Sequence, residues 1–277
     1  MVFVTKFDGS RQLFQKEKII RTCLRMHASR EQAEAVANRI ESEAYDGITT
    51  EEILEKIFNY LKTHRPELEH QIDLRRAVSL LRPKPDFEMF IQELLKELGY
   101  VATSNQLVKG KCVEHEIDAI AAKDGKTFFV EIKHHLNHHT YTGVDVCLET
   151  QARLEDLREG FEAGLNSIKF DRALIVCNTK FSEHAKQYAA CRAIELIGWR
   201  APYESGLESL IEDKRFYPIT VLKGLDRNVH EKLVENGVIL LKQLIKRDAN
   251  ELQAKTTIPI ETLQNLIKKA EELVHRP

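Results

Sequence analysis

The chain lacks any apolar run approaching the ~20 residues that a helix needs to span a bilayer. Its first residues, Met-Val-Phe-Val-Thr-Lys, show no basic segment followed by an apolar one. These two absences point to a soluble, cytoplasmic protein with no membrane partner. Cysteine is sparse and scattered. The five residues Cys23, Cys112, Cys147, Cys177 and Cys191 are odd in number and show no Cys-x-x-Cys spacing, so neither a disulfide framework nor a thiolate zinc site is indicated. Excess charge is missing as well. A net charge of -2 gives no bulk attraction for nucleic acid, so any such contact has to come from local patches, a bound cation or backbone amides. What the chain does have is apolar material: 43% of 277 residues suffices for one large domain or two to three small ones with real cores.

The most informative stretch runs from Glu116 to Lys133 and reads as two short strands joined by an Asp124-Gly125 turn. Asp-Gly between alternating apolar residues is a strong hairpin signal, because a two-residue type I′ turn needs positive φ at both central positions. That turn sets Asp118 opposite Glu131 and Glu116 opposite Lys133. By strand alternation, Ile117, Ala119 and Ala121 share a core face with Phe128, Val130 and Ile132, while Asp118, Glu131 and Lys133 share the other. Two carboxylates facing each other repel by roughly 0.2–1 kcal/mol, so a cation is expected between them. Mg²⁺ is the natural candidate, since it takes one or two carboxylates plus waters and phosphate oxygens. Lys133 would stand beside it, orienting water or neutralising charge on a phosphate. The alternative is a solvated strand face carrying a Glu-Lys pair, and the hairpin by itself leaves both readings open.

Ahead of that stretch, residues 2–14 carry Asp8-Gly9 and suggest a first hairpin. Helices are expected around Ile19–Leu24, from Glu31 to Glu43, from a Thr49 or Thr50 cap through Leu61, and from about Leu68 to Leu81. Arg82-Pro83-Lys84-Pro85 marks a boundary. Val4-Thr5-Lys6-Phe7-Asp8-Gly9-Ser10 with Phe14 and Lys18-Ile19, then Tyr45-Asp46-Gly47-Ile48-Thr49-Thr50, then Arg76-Ala77-Val78-Ser79 make residues 1–82 resemble the ATP-cone, a small nucleotide-sensing domain of ribonucleotide reductases and their repressor. The resemblance implies an ATP or dATP effector, with Lys6 and Lys18 at the triphosphate and Thr50 near the base, by point-charge pairing to phosphate. Phe7 and Leu54 stand where many or some cones place a basic residue and a polar nucleotide contact.

Beyond the prolines, Phe87, Phe90, Ile91, Leu94, Leu95 and Leu98 follow helical spacing, with Glu88 flanking the apolar stripe, and the helix closes at Gly99. A strand from Tyr100 to Leu107, the central hairpin, a helix from Val144 to Gly164 containing Gln151, a strand from Ala173 to Cys177, a helix capped by Ser182 and a strand from Ala193 to Trp199 give the alternation of an α/β core with a mixed sheet. His134, His135, His138 and His139 follow a strand without cysteine partners, which points away from zinc and toward substrate-facing or merely polar loop histidines. In order and residues, 84–213 resembles the Mrr-like restriction endonucleases of the PD-(D/E)xK superfamily. That resemblance implies Mg²⁺ on Asp118, Glu131 and the Ile132 carbonyl, with Lys133 as the catalytic lysine. It further gives Glu88 as a helix acid assisting the metal and Gln151 as a glutamine near the site. The approach Val113-Glu114-His115-Glu116 departs from the glycine-rich one usual there and leaves the role of Glu116 open.

Residues 216–277 turn helical in two similar cycles, through Lys223-Gly224-Leu225-Asp226 and Thr257-Ile258-Pro259, and resemble tandem helix-hairpin-helix modules. Such modules hold duplex or branched DNA through amides at helix N-termini. The second hairpin lacks the usual glycines. The fold class expected is thus multidomain α+β: an ATP-cone of β-hairpin and helices, a restriction-endonuclease-like α/β core, and an all-α tail. The function expected is a Mg²⁺-dependent DNA endonuclease regulated by ATP or dATP, with a homodimer compatible with it. The alternatives are a nucleotide-responsive DNA-binding regulator that does not cut, and a structure-selective nuclease on branched DNA.

Overall fold

A three-residue strand pair around the Asp8-Gly9 turn opens the chain. In the computed structural model, which describes every residue except His27, residues 64–67, Glu69 and residues 275–277, β1 (Phe3–Thr5) pairs antiparallel with β2 (Arg11–Leu13). Gly9 takes φ +77°, and the Asp8 carboxylate accepts hydrogen bonds from both the backbone N–H and the hydroxyl of Ser10, which closes the turn. Three helices follow: α1 (Lys16–Arg25), α2 (Arg30–Glu43) and α3 (Thr50–Leu61). The last two start at reciprocal capping boxes, Ser29 with Gln32 and Thr49 with Glu52, each satisfying two otherwise orphaned N–H groups. Their apolar faces meet in a core of Ile19, Ile20, Cys23, Ala33, Ala37, Ile40, Ile57 and Leu61. Residues 1–72 with 271–277 make one compact unit, and residues 73–270 the other.

The second unit begins with a shorter helix than the sequence suggests, α4 (Leu74–Ser79). Asp73 is the reason: its carboxylate accepts the Arg76 N–H, so the helix starts after it, and Glu69 in the expected span lies outside the described residues. After the prolines come α5 (Glu88–Glu97) and the strands β3 (Val101–Lys109), β4 (Glu114–Lys123) and β5 (Lys126–Lys133). Next are β6 (Tyr141–Thr142), α6 (Val144–Glu162), β7 (Arg172–Cys177), β8 (Lys180–Phe181), α7 (Glu183–Arg192) and β9 (Glu195–Ile197). The main sheet runs β3-β4-β5-β7-β9, antiparallel through β5 and parallel beyond it, while β6 and β8 pair apart from it. It is the mixed α+β, restriction-endonuclease-like arrangement expected.

Asp124 and Gly125 take φ +50° and +73°, as a type I′ turn requires, and the register is the expected one: Ala119 faces Val130 and Ala121 faces Phe128. Two features differ from the sequence reading. The ladder stops at Ala119 and Val130, so neither Asp118–Glu131 nor Glu116–Lys133 is a paired register position; Glu116 pairs instead with Leu107 on β3. And the sheet has no single core face. Phe128, Phe129, Val130, Glu131 and Ile132 are all buried: the crossover helices α6 and α7 pack together with Phe129 over one face, and α5, ahead of β3, packs against β3 and β4.

After α8 (Leu207–Asp213), the tail comprises α9 (Arg227–Glu235), α10 (Leu241–Ile245), α11 (Ala249–Thr256) and α12 (Ile260–Val274). Asp226 caps α9 behind a turn in which Gly224 has φ +78°. In the second cycle Thr257 takes the left-handed conformation, φ +58°, that a glycine would otherwise supply, and its hydroxyl accepts from Lys232.

Candidate active site

Where β4 and β5 separate, a side chain takes over the work of the ladder. Asp118 Oδ2 accepts the Ile132 N–H at 2.8 Å, so the aspartate is pinned to the strand end and only its Oδ1 stays open. The other edge of β4, against β3, is uneven too, since Asn105 of β3, with φ +40°, interrupts the pairing between Ser104–Ala119 and Gln106–Ile117. Glu131 projects toward α6 and is 4% exposed. Its Oε1 meets Lys133 Nζ at 2.8 Å and its Oε2 meets the Arg153 guanidinium at 2.5 Å. Arg153 also donates to the Glu116 carbonyl and lies over the Phe129 ring, 4.9 Å from its centroid, so α6 is clamped across the strand ends.

Burial pushes the carboxyl of Asp118 up, the Ile132 N–H works against it, and the nearby charge of Glu88 adds to it. Burial likewise raises Glu131, opposed by its bond from Lys133. Burial alone would lower Lys133, but the bond to Glu131 and its charge outweigh it and hold the ammonium form. Asp118, Glu131, Ile132 and Lys133 line one cavity of about 400 Å³. Five carboxylates and three cationic side chains line that cavity, with His115 beside them.

Three residues at this site were not picked out from the sequence. Arg153 and Glu149 reach it from α6. Lys84 reaches it from the proline-flanked segment: its Nζ lies 3.0 Å from Glu116 Oε1, 3.1 Å from Glu88 Oε1 and 3.7 Å from Asp118 Oδ1. Glu88 is therefore not a solvated helix glutamate; it is 5% exposed and joined to Asp118 through that ammonium. Gln151 is placed elsewhere. It is not among the residues lining the cavity; it lies on the buried side of α6, its Nε2 donates to Glu155 and its buried Oε1 has no hydrogen-bond partner. An Arg two residues after a Gln on a helix is the only signal that could have exchanged them, since the two positions point about 200° apart.

The segment leading into β4 is shaped by Asp156 of α6, whose carboxylate accepts from the Cys112 N–H at 2.8 Å and contacts His115 Nε2 at 2.8 Å. Burial pushes Asp156 up, yet these bonds outweigh it and hold the carboxyl well below the ordinary range. The histidines after β5 have protein contacts of their own: His134 with the Val78 carbonyl, His135 with Thr142 and His138 with Ser79. Among the described residues, no three His, Cys, Asp or Glu side chains converge as a ready-made metal cage.

In the first unit, Lys6, Lys18 and Thr50 are all exposed. The Thr5 N–H donates to the Ile48 carbonyl and Thr5 bridges Thr49, which sets the end of β1, with Lys6, beside the start of α3, with Thr50. Lys18 Nζ donates to Gln12 on β2, the residue paired with Val4.

Comparison with known proteins agrees with this order of parts. Residues 2–84 match the ATP cone domain, residues 82–200 the restriction endonuclease catalytic family, and residues 217–274 the family described as AF1548-like, C-terminal. An uncharacterized protein of Archaeoglobus fulgidus is 38% identical over 160 residues, spanning 58% of this chain and 86% of the relative. The transcriptional repressor NrdR of Sorangium cellulosum is 32% identical over 101 residues, spanning 34% of this chain and 63% of the repressor. The crystal structure titled as the protein of unknown function AF1548 aligns with a TM-score of 0.58 at 34% identity, covering 68% of this chain and 96% of that one. The chain belongs to the AF1548-like family, and carries in order an ATP-cone, a restriction endonuclease domain and the AF1548-like C-terminal domain.

Proposed function

We propose that the endonuclease domain hydrolyses DNA phosphodiesters with a divalent cation, Mg²⁺ first, held by Asp118, Glu131 and the Ile132 carbonyl. The observation that supports this most is the meeting of these groups with Lys133 in one cavity whose lining holds more carboxylates than lysines and arginines. A hard cation that keeps most of its waters needs only one or two carboxylates, which fits a site without a closed cage. When bound, the ion would polarise the phosphate and lower the pKa of the attacking water. Lys133, held as an ammonium beside Glu131, suits donation to a phosphate oxygen more than proton abstraction. Glu88 would lend negative charge from α5, and Gln151 would act through the packing of α6. The hairpin turns before α9 and α12 would meet DNA phosphates through backbone amides. In the cone, Lys6, Lys18 and Thr50 would take ATP or dATP and bias the nuclease through it.

The purified chain is expected to cut plasmid with Mg²⁺, and Lys133→Ala and Asp118→Ala to abolish cutting. Equal cutting by both variants and the native protein would sink the assignment. Methylated plasmid and a four-way junction, each with and without ATP or dATP, distinguish sequence, modification and structure selectivity. A non-cleaving DNA-binding regulator is favoured instead by tight Mg²⁺-independent binding with no cutting under any nucleotide.

A further inference from the structure

We infer that Lys84 is a tethered counter-ion of the active site, a built-in competitor that sets how tightly the site takes a divalent cation. The inference rests on the metal reading above and goes beyond it by assigning a residue that neither the family resemblance nor the sequence pattern supplies. Its ammonium sits among carboxylates from three elements: Glu88 of α5, and Glu116 and Asp118 of β4. Two of these acids are largely withdrawn from water, at 7% and 14% side-chain exposure, and so are poorly screened without a cation. Asp118 Oδ1 is the oxygen left open once Oδ2 has accepted the Ile132 N–H, and it is the one that faces Lys84. An ion binding Asp118 and the lysine therefore draw on the same lone pairs.

The placement of Lys84 is built into the backbone. Pro83 and Pro85 flank it, and Lys84 itself is extended at φ -126°, ψ 137°. Asp86, fully buried, accepts from the Arg82 backbone N–H at 3.1 Å and from its guanidinium at 2.8 Å, which ties the segment at both ends. The anchor extends to α9, where Glu231 lies 3.8 Å from Arg82 and His230 lies 3.3 Å from Asp86. The pinned backbone fixes where the stem of Lys84 starts, and although the side chain is 55% exposed, three carboxylates lie within its reach. Residues 82–84 are also where the ATP-cone match and the endonuclease match overlap, and they lie inside the second compact unit, with the site they serve.

The test is calorimetric titration of the full-length chain with MgCl₂ and MnCl₂ in the absence of DNA. Lys84→Gln, which removes the charge and keeps the stem, is expected to bind either ion about tenfold more tightly than the native protein, a gain of about 1.4 kcal/mol. Lys84→Arg, which keeps the charge, is expected to stay within about twofold of it. Lys84→Met replaces the Gln variant where an amide disturbs the turn, with thermal unfolding reporting that each variant folds. Affinity unchanged or weakened in Lys84→Gln and Lys84→Met overturns the inference. Asp118→Ala separates the two readings. If it abolishes ion binding while the Lys84 variants fail to tighten it, only the competitor role falls; if it leaves ion binding intact, the metal site falls with it.

Discussion

Replacing Arg153 by Met tests the charge economy of the site most directly. The guanidinium holds one oxygen of a glutamate whose side chain is 5% exposed, and is itself 18% exposed, so this pair is shielded from water and salt. For unit charges ~4 Å apart at an effective dielectric of ~20, the attraction is about 4 kcal/mol. Breaking a buried pair outright removes about 3–5 kcal/mol, because the remaining charge is stranded. Glu131 is not fully stranded, since Lys133 stays at 2.8 Å, and the methionine side chain recovers packing against Phe129 and the desolvation of the arginine. The expected loss is therefore about 2–3 kcal/mol. Urea unfolding followed by the fluorescence of Trp199, the single tryptophan and 3% exposed, reads the unit that contains the site. On the proposed reading, saturating Mg²⁺ would replace the missing positive charge, and the deficit should shrink to less than about 1 kcal/mol, since a ligand that binds only the folded state stabilises it. A loss below about 0.5 kcal/mol, or one that Mg²⁺ leaves unchanged, would refute both the stranded-charge argument and the place given to the cation.

Gly160→Ala sets two principles against each other. Helix propensity favours alanine by about 1 kcal/mol, but a Cβ there would stand 2.7 Å from the Gly110 carbonyl carbon and 2.8 Å from the Lys109 oxygen, backbone atoms that cannot rotate away. Overpacking of about 1–3 kcal/mol should win, giving a net loss of about 1–2 kcal/mol by the same urea assay, and a stabilised variant would contradict the close approach. His138 provides a pH signature. Burial, with the charges of His139, Arg75 and Arg76, pulls it down from 6.5 to about 4, so the fold prefers the neutral ring. For a base lowered in this way, stability is intact above about pH 6.5 and is lost as the pH falls toward about 4. The full shift corresponds to about 3 kcal/mol, which partial exposure reduces to about 1–2 kcal/mol. His138→Asn should flatten that fall by the same amount in denaturation curves between pH 7 and pH 4, and an unaltered acid slope would remove His138 as its source.

What could be read from the sequence was whatever rests on local geometry. Asp124-Gly125 dictates positive φ, and the turn and register followed. Ser182 is the cap its spacing announces, Thr49 is the one of the two adjacent threonines that caps, and α7 and α3 begin just after them. Apart from the later start of α4, set locally by the Asp73 cap, the departures involve contacts between distant parts of the chain. Strand alternation gave one face of the hairpin to the core and left the other to chemistry or solvent, but alternation cannot register that α6 and α7 pack over one face while α5 packs against β3 and β4. It also assumes an unbroken ladder, whereas Asp118 ends the ladder by taking the Ile132 N–H with its own side chain. Lys84 and Arg153 escaped notice because isolated basic residues carry no period. One is separated from Asp118 by the whole of α5 and β3, the other lies on a helix after the hairpin, and only the folded sheet brings them together.

Glu116 illustrates how these departures change the chemistry. Register alone would pair it with Lys133 and so draw the lysine away from Glu131. Because the strands separate before that point, Glu116 turns its carboxylate to Lys84 and its carbonyl to Arg153, and Lys133 goes to Glu131 instead. Each proposed metal-holding acid then has a protein cation beside it: Asp118 has Lys84, and Glu131 has Lys133 and Arg153. That arrangement explains how buried carboxylates are tolerated without a closed cage of ligands, since the compensating charge comes from side chains of the chain itself. It also makes divalent-ion affinity on the proposed reading a difference between two kinds of cation. Weakening any one of the three protein cations should therefore tighten the ion's hold while loosening the empty fold, two effects of opposite sign from a single substitution. A site in which these lysines and this arginine were only surface decoration would show neither.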